Sequence, residues 1–498
     1  MESLSDTVWD VLICGTGLQQ SLLALSLSRS GKQILHIDPK EFYGGPDAAF
    51  SLQEAEAWQA EQSSTDTSSI FSLASISQPS GGAGLSPSRS YSFALSPQII
   101  HTSSALISQL VSSRAYRQIE FLAVGSFFIF NPSSPDSQAP PSLTRIPSTR
   151  EDVFSTTAIP ARAKRSLMKF LKFVLDYESE TNKAIWQAQA AEPLSALLAD
   201  HFKLNAELLA YVLALTLSLD GRIATQDGLA SIHRHLTSMG VFGPGFAAIY
   251  PKWGGTSEIA QVACRAGAVG GGIYMLGTGI DSVTDADELV EVRLTNGTPV
   301  KTKLLVRGGD ERAAEETLEV SRLVAVVGSP LSSLFEVVVE GAPAPAVAVI
   351  AFPPGSVIAN GAASEYPIYA FAHSSSTGEC PNGQSVLCFT TLATPTSKAL
   401  LQSALESLLS TFGSGDEGPK CLYQLYYQQS RGSTAIRTDG KVVHLPAPSL
   451  GLAFDDSTLD SVRQAWKTVM GADAEDPDTE YMVFSDREPA DAYNDGDE

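Results

Sequence analysis

Residues 9–38 read WDVLICGTGLQQSLLALSLSRSGKQILHID, and this stretch decides the fold. Trp9 to Cys14 is an apolar run of strand length, and Gly15-Thr16-Gly17 is a turn. Leu18 to Ser30 carries leucines at helical spacing, Gly31 stops it, and Gln33 to Asp38 is a second apolar run. Strand, glycine turn, helix, strand is the opening of a βαβ unit, so a parallel sheet is expected.

The turn with Asp38 about twenty residues on is most of a dinucleotide fingerprint. In that fingerprint one glycine makes the turn, a second lets the backbone approach a pyrophosphate, and a third lets the helix pack on the strand. Gln20 stands at the third position. Gly15, Gly17 and Asp38 therefore read as the remains of a cofactor site in a Rossmann-like frame kept for packing, and no cofactor is expected.

Outward from this unit the chain changes texture. Residues 59–90 are Ser-rich with Gly and Pro and read as a solvated, disordered insertion. A loose stretch, Asn131 to Leu143, follows the apolar run Phe127 to Phe130. Between 151 and 236 the apolar repeats are helical, over Arg162 to Glu178 and again over Leu194 to Leu219. The expected fold is α/β (α+β) with two domains: a large Rossmann-like domain over 1–58, 91–150 and 237–471, and an all-helical domain inserted at 151–236. Leu323 to Val327 and Pro345 to Phe352 read as strands of the large domain, and Ser457 to Met470 as an amphipathic helix that closes it.

The chain has 498 residues and a formal net charge of −22, and about −10 of that falls in residues 472–498, where eleven acids face Arg487 alone. This tail is expected to be disordered. The charge argues against nucleic acid, which needs clustered positive residues, and against an electrostatic membrane anchor. Five scattered cysteines without a CxxC pair indicate neither a disulfide framework nor a zinc site. The apolar run Leu208 to Leu219 is too short to span a bilayer, and MESLSDTVWD is no secretory signal, so a soluble cytosolic protein is expected. Neither GxSxG nor HExxH occurs. His233 and His235, the one close histidine pair, would point roughly 200° apart on a helix.

Two further segments combine glycine, aromatic and charged residues: Glu41-Phe42-Tyr43-Gly44-Gly45, and residues 250–276, YPKWGGTSEIAQVACRAGAVGGGIYML. In the second, Glu258, Gln261 and Arg265 are spaced by three and four, which puts them on one side of a helix. Spacing alone leaves a solvated face and a binding face both open.

Taken together, GTGLxxS, LHIDPKEFYGG, the 250–276 segment and Arg165 to Leu171 (RSLMKFL) resemble the superfamily of Rab GDP-dissociation inhibitors and Rab escort proteins, from residue 7 to about 470. Ser374 to Leu387, Leu422 to Gln428 and Gly451 to Trp466 resemble the escort branch. The resemblance implies a fold related to flavin-binding oxidases but without flavin. It implies a non-catalytic accessory that binds GDP-bound Rab GTPases, presents them to the catalytic Rab geranylgeranyltransferase heterodimer, and carries the lipidated product to a membrane it touches transiently; a nuclear fraction stays open. The alternatives are a dissociation inhibitor that recycles lipidated Rabs and, from another class, a flavin-dependent amine oxidase.

The family's Rab-binding positions fall on Tyr43, Glu258, Gln261, Arg265, Tyr274 and Met275. Departures surround them: the loop before Glu258 is one residue longer, Trp253 replaces a tyrosine, and Ala260 replaces a proline. For the geranylgeranyl chain the helical block is expected to supply a groove, with Phe170, Leu171, Val174, Leu208, Val212 and Leu215 as wall candidates that equally suit an ordinary core. The transferase is expected to dock near Pro193 to Phe202.

Overall fold

A computed structural model describes residues 4–63, 69–79, 81–133, 140–147, 152–153, 159–286, 288–308, 318–413, 418–476 and 479–485. Strand β1 (Val8–Cys14), helix α1 (Leu18–Leu27) and strand β2 (Ile34–Ile37) form the expected unit, with β1 and β2 parallel, Val11 opposite Ile34 and Cys14 opposite Ile37. Strand Ile273–Met275 pairs in parallel with the free edge of β2, and strand Pro299–Arg307 in parallel with the other edge of β1. The carboxyl ends of these strands share one edge, the edge at which open α/β sheets bind ligands.

Helix α1 is buried along its whole length, packed between helices Thr256–Val269 and Ser457–Met470. Its polar residues bond inward. The Gln19 amide donates to the Pro446 carbonyl at 2.9 Å, and the Ser21 hydroxyl donates to the Thr16 carbonyl at 2.9 Å with Cys264 Sγ 3.2 Å away. These bonds offset the cost of lost hydration for the groups that make them, while the buried Gln19 Oε1 has no partner.

The second sheet has ten strands, in the order Phe71–Ser77, Cys421–Ser430, Glu319–Val327, Ser385–Leu392, Ile368–Ser374, Val347–Phe352, Phe121–Asn131, Ala248–Pro251 and Ile100–His101, with Ser142–Arg145 paired to Phe121–Asn131 off this path. The helical block, Ala161–Val174 through Thr225–Ser238, lies against it, and Val124, Phe127 and Val347 share one core with Leu194, Leu208 and Leu229. Strand Ala248–Pro251 belongs to this sheet, yet the next helix, Thr256–Val269, packs on α1 of the other. That helix therefore spans the two halves of the large domain.

Two expectations need correction and one gains detail. Part of the Ser-rich stretch is structured: Phe71–Ser77 is an edge strand paired with Cys421–Ser430, held by Phe71 against Trp58 and Tyr427 at ring distances of 5.3 and 5.9 Å. Residues 64–68 and 80 lie outside the described residues. The run Leu194 to Leu219 is two helices, Leu194–Asp200 and Ala206–Leu215, because Lys203 takes a positive φ and the Asn205 side chain caps the second by accepting from the Leu208 N–H. The acidic tail does not leave the fold at 472. Its described part folds back, with Met482 wholly buried against the helix Ser457–Met470 and α1. Residues 477–478 and 486–498 lie outside the described residues.

Candidate functional site

The loop leaving β2 is laced to the strand beside it. The Asp38 N–H donates to the Met275 carbonyl at 2.9 Å, the Thr278 N–H to the Asp38 carbonyl at 2.7 Å, and the Gly277 N–H to the Lys40 carbonyl at 2.9 Å. Asp38 is buried and turned inward. Its Oδ2 accepts from the Thr16 N–H and hydroxyl, both at 2.7 Å, and its Oδ1 from the Lys40 N–H at 2.8 Å. Gly44 then turns the chain at φ +100°, with its N–H on the Thr16 carbonyl at 3.1 Å. A β-carbon at Gly44 would stand 2.9 Å from Ala48 Cα, so only glycine fits. The turn leaves Tyr43 half-exposed above helix Thr256–Val269.

On that helix Ile259, Val262 and Ala263 are buried, while Glu258 and Gln261 are half-exposed and Arg265 is exposed. The three share one outer face, as their spacing by three and four predicts. Electrostatics joins this face to the loop. Burial pushes the Glu258 carboxyl up, and the Arg265 guanidinium pulls it back. Burial and Cys264 push the Tyr43 phenol up, and the same guanidinium opposes them. Burial, Cys264 and Tyr43 push the Tyr274 phenol up. Tyr43 is thus brought beside Glu258, Arg265 and Tyr274, which lie more than 200 residues later in the chain, and Arg265 also reaches Gln118 Oε1 at 3.5 Å.

Met275 does not join them. Neighbouring residues of a strand face opposite sides of the sheet. Tyr274 packs on the α1 side, and Met275 packs on the other, against the core of Leu12, Leu35 and Val292. Trp253, which stands where the family has a tyrosine, is 51% exposed and lies on Gly378, with Lys252 Nζ 4.6 Å from the ring centroid. Its positive φ of 74° in the lengthened loop gives no signal in the residue pattern.

A dinucleotide does not fit where the glycine fingerprint would place its pyrophosphate. Such a group needs the bare N–H groups at the start of α1. Here the buried Asp47 lines the same small space as Leu18, and a β-carbon on Gly17 would stand 3.0 Å from Gln20 Oε1 and 3.7 Å from Pro46 Cδ. The space left among Gly17, Gln20, Pro46 and Asp47 is about 20 Å³, room for about one water. A cleft of about 290 Å³ remains on the Asp38 side, between Phe42 and Trp58.

The lipid-wall candidates divide by exposure. Phe170, Val174, Leu208 and Val212 are buried in the helical core, at 0–2% exposure, whereas Leu171 and Leu215 are partly exposed. Among the described residues no group of three or more His, Cys, Asp or Glu is placed to hold a metal, and no helix is long and apolar enough to cross a membrane.

Residues 5–334 match the family described as GDP dissociation inhibitor. The chain is 30% identical over 427 residues to the Rab proteins geranylgeranyltransferase component A of Saccharomyces cerevisiae, which covers 84% of this chain and 68% of that protein. It is also 30% identical over 420 residues to the protein of the same name from Candida albicans, over 80% of this chain and 62% of that one. Among solved structures, Rab GDI from Plasmodium falciparum superposes with a TM-score of 0.65 at 17% identity, covering 93% of this chain and 98% of its own, a likeness of fold. With two thirds of its length matched, from the first strand through the cluster of Tyr43, Glu258 and Arg265, the chain belongs to the GDP dissociation inhibitor family.

Proposed function

We propose that this protein is a Rab escort protein, a non-catalytic accessory of Rab geranylgeranyltransferase. It binds newly made GDP-bound Rab GTPases, presents their C-termini to the catalytic heterodimer, and delivers the lipidated product to membranes. The observation that carries this reading is the convergence of Tyr43, Glu258, Gln261, Arg265 and Tyr274 on one accessible face, beside a dinucleotide site closed by the protein's own side chains. An aromatic ring offers adaptable apolar contact there, and the carboxylate and guanidinium fix register with charged groups of a GTPase. Similarity to two component A proteins favours the escort branch.

The isoprenoid is assigned to the helical block. A twenty-carbon chain gains on the order of 10 kcal/mol from burial at about 0.8 kcal/mol per CH₂, enough to decide between solution and membrane. With Phe170, Val174, Leu208 and Val212 closed against each other, the lipid enters by parting these helices, and Leu171 and Leu215 mark the rim. The protein works in the cytosol and meets membranes only at delivery.

The test is a reconstituted prenylation of a GDP-loaded Rab by the catalytic heterodimer, with and without this chain. Support of prenylation is expected, and its absence would overturn the reading. The second reading, a dissociation inhibitor, is favoured by the family match itself. It requires tight binding of prenylated Rab, weak binding of unmodified Rab, and no complex with the transferase.

A further inference from the structure

Trp253 stands in the loop that joins strand Ala248–Pro251 to the helix of Glu258, Gln261 and Arg265, and its backbone is pinned on both sides. Its N–H donates to the Thr377 carbonyl at 2.9 Å, and its carbonyl accepts from the Ser92 hydroxyl at 2.8 Å. Its ring lies so close over Gly378 that a β-carbon there would stand 2.3 Å from it. The Gly378 turn is fixed from below by the next residue. Glu379 is wholly buried, accepts from the Tyr250 hydroxyl at 2.7 Å and pairs with His373 Nδ1, while its carbonyl accepts from the Ser92 N–H at 3.2 Å. Trp253 thus keeps a positive φ, which a bulky residue rarely adopts, and is still 51% exposed.

A large ring on a backbone held this way is in place before a partner arrives, so little side-chain freedom is lost when it is covered. Tryptophan is also among the residues most enriched at the energetic centres of protein interfaces. The ring continues the face of Arg265 along one flank of the helix. Gln118 and Glu120 are both exposed there: Gln118 Oε1 is 3.5 Å from Arg265, the Glu120 carboxylate pairs with Lys252 Nζ at 2.9 Å, and the Glu120 carbonyl accepts from the Lys252 N–H at 3.0 Å. On the other flank Gly254 lies against Ala49, just past the Tyr43 loop, where a β-carbon on the glycine would stand 2.4 Å from Ala49 Cβ. We propose that Trp253 is a further contact of this face, a preset aromatic anchor for the GDP-bound Rab at the N-terminal end of the helix. The proposal rests on the Rab-binding reading of that face.

The experiment measures Kd for one GDP-loaded Rab with wild-type protein, Trp253→Gly and Trp253→Phe, with melting temperatures recorded for each. Hydroxyl-radical labelling of Trp253 is compared between the free wild-type protein and its Rab complex. Trp253→Gly suits the positive φ and removes the ring, so it is expected to stay folded and to weaken binding about tenfold. Trp253→Phe keeps a smaller ring and is expected to weaken binding about threefold. Labelling of Trp253 is expected to fall about twofold or more in the complex, because the partner covers the ring. Unchanged Kd in a folded Trp253→Gly, or equal labelling of the free and bound protein, would overturn the proposal. If Trp253→Gly does not fold, Trp253→Asn, which also tolerates a positive φ, decides. Failure of wild-type protein to bind the Rab at all would instead count against the function on which the proposal rests.

Discussion

Gly267 and Tyr274 are in contact where helix Thr256–Val269 passes the strand after it. A β-carbon built on Gly267 would stand 2.3 Å from the Tyr274 hydroxyl oxygen. The tyrosine ring is held from its other side by His36 of β2, at a centroid distance of 4.8 Å. The glycine therefore sets where the phenol ends.

Gly267→Ala should displace Tyr274. Alanine is about 1 kcal/mol better than glycine inside a helix, but its β-carbon would overlap the buried Tyr274 hydroxyl, so the whole ring must leave its place against His36. The melting temperature is expected to fall, because losing that packing outweighs the gain in helix propensity. Affinity for a GDP-loaded Rab is expected to fall roughly three- to tenfold as Tyr274 leaves the cluster. Unchanged affinity would place Tyr274 outside the interface.

Arg265→Glu addresses the charge at the centre of the same face. Arg265 is exposed and its guanidinium opposes the upward shift of Glu258, so reversal removes an attraction to that carboxylate and adds a repulsion, while the neutral Tyr43 phenol beside it loses its cationic neighbour. Surface reversals away from packed features usually change stability by about 0.5 kcal/mol or less. Rab binding is expected to weaken by tenfold or more, with an unchanged unfolding midpoint. A binding isotherm that overlays wild type would remove Arg265 from the interface.

The opening βαβ unit and the outer face of Glu258, Gln261 and Arg265 were legible in sequence because local periodicity alone fixes them. What escaped depends on partners far along the chain. Phe71–Ser77 becomes a strand only by pairing with residues about 350 positions on, and its Ser-rich text shows nothing of that. Met275 follows Tyr274 directly, and strand alternation sends the two to opposite faces once β2 fixes the register. Asp47 was invisible for a different reason. The fingerprint directs attention to a ligand at the start of α1, and nothing in GGPD announces that Pro46 and Asp47 pack there instead.

Truncation should now divide the acidic tail in two. Tyr481 packs on Trp466 at 5.2 Å beneath Arg463, Met482 is wholly buried, Phe484 lies under Arg29, and the Arg29 guanidinium donates to the Ser485 carbonyl at 2.8 Å. Deleting 472–498 exposes that side of α1 and helix Ser457–Met470. At about 1.5–3 kcal/mol for a fully buried large apolar side chain, Met482 alone accounts for an expected loss of about 2–3 kcal/mol, to which the partly buried Tyr481 and Phe484 add. Deleting 486–498 keeps every one of those contacts and is expected to leave the denaturation midpoint where it is. Equal midpoints for the two truncations would show that residues 472–485 contribute no stability. Rab affinity is expected to survive both deletions at a temperature where the shorter protein stays folded.

Acidification should destabilise the fold through histidines held neutral in its interior. Burial lowers His235 from 6.5 to about 4, where it packs edge-on against His101 and Phe127 with Arg234 nearby, and it lowers His36 to about 4 as well. A depressed folded value gives a contribution that is complete above 6.5 and is lost as pH falls toward 4, because only the unfolded chain takes up the proton in that window. Between pH 7 and 5 each histidine removes about 2 kcal/mol. Asp47 acts with the opposite sign: burial raises its carboxyl from 3.8 to about 6, so the folded state takes up its proton first and gains relative stability as pH falls through 6. Denaturant midpoints at pH 7, 6 and 5 should therefore fall less steeply for His235→Leu than for wild type, and more steeply for Asp47→Asn. Slopes that match wild type in both variants would show that neither group changes its protonation between the folded and unfolded states.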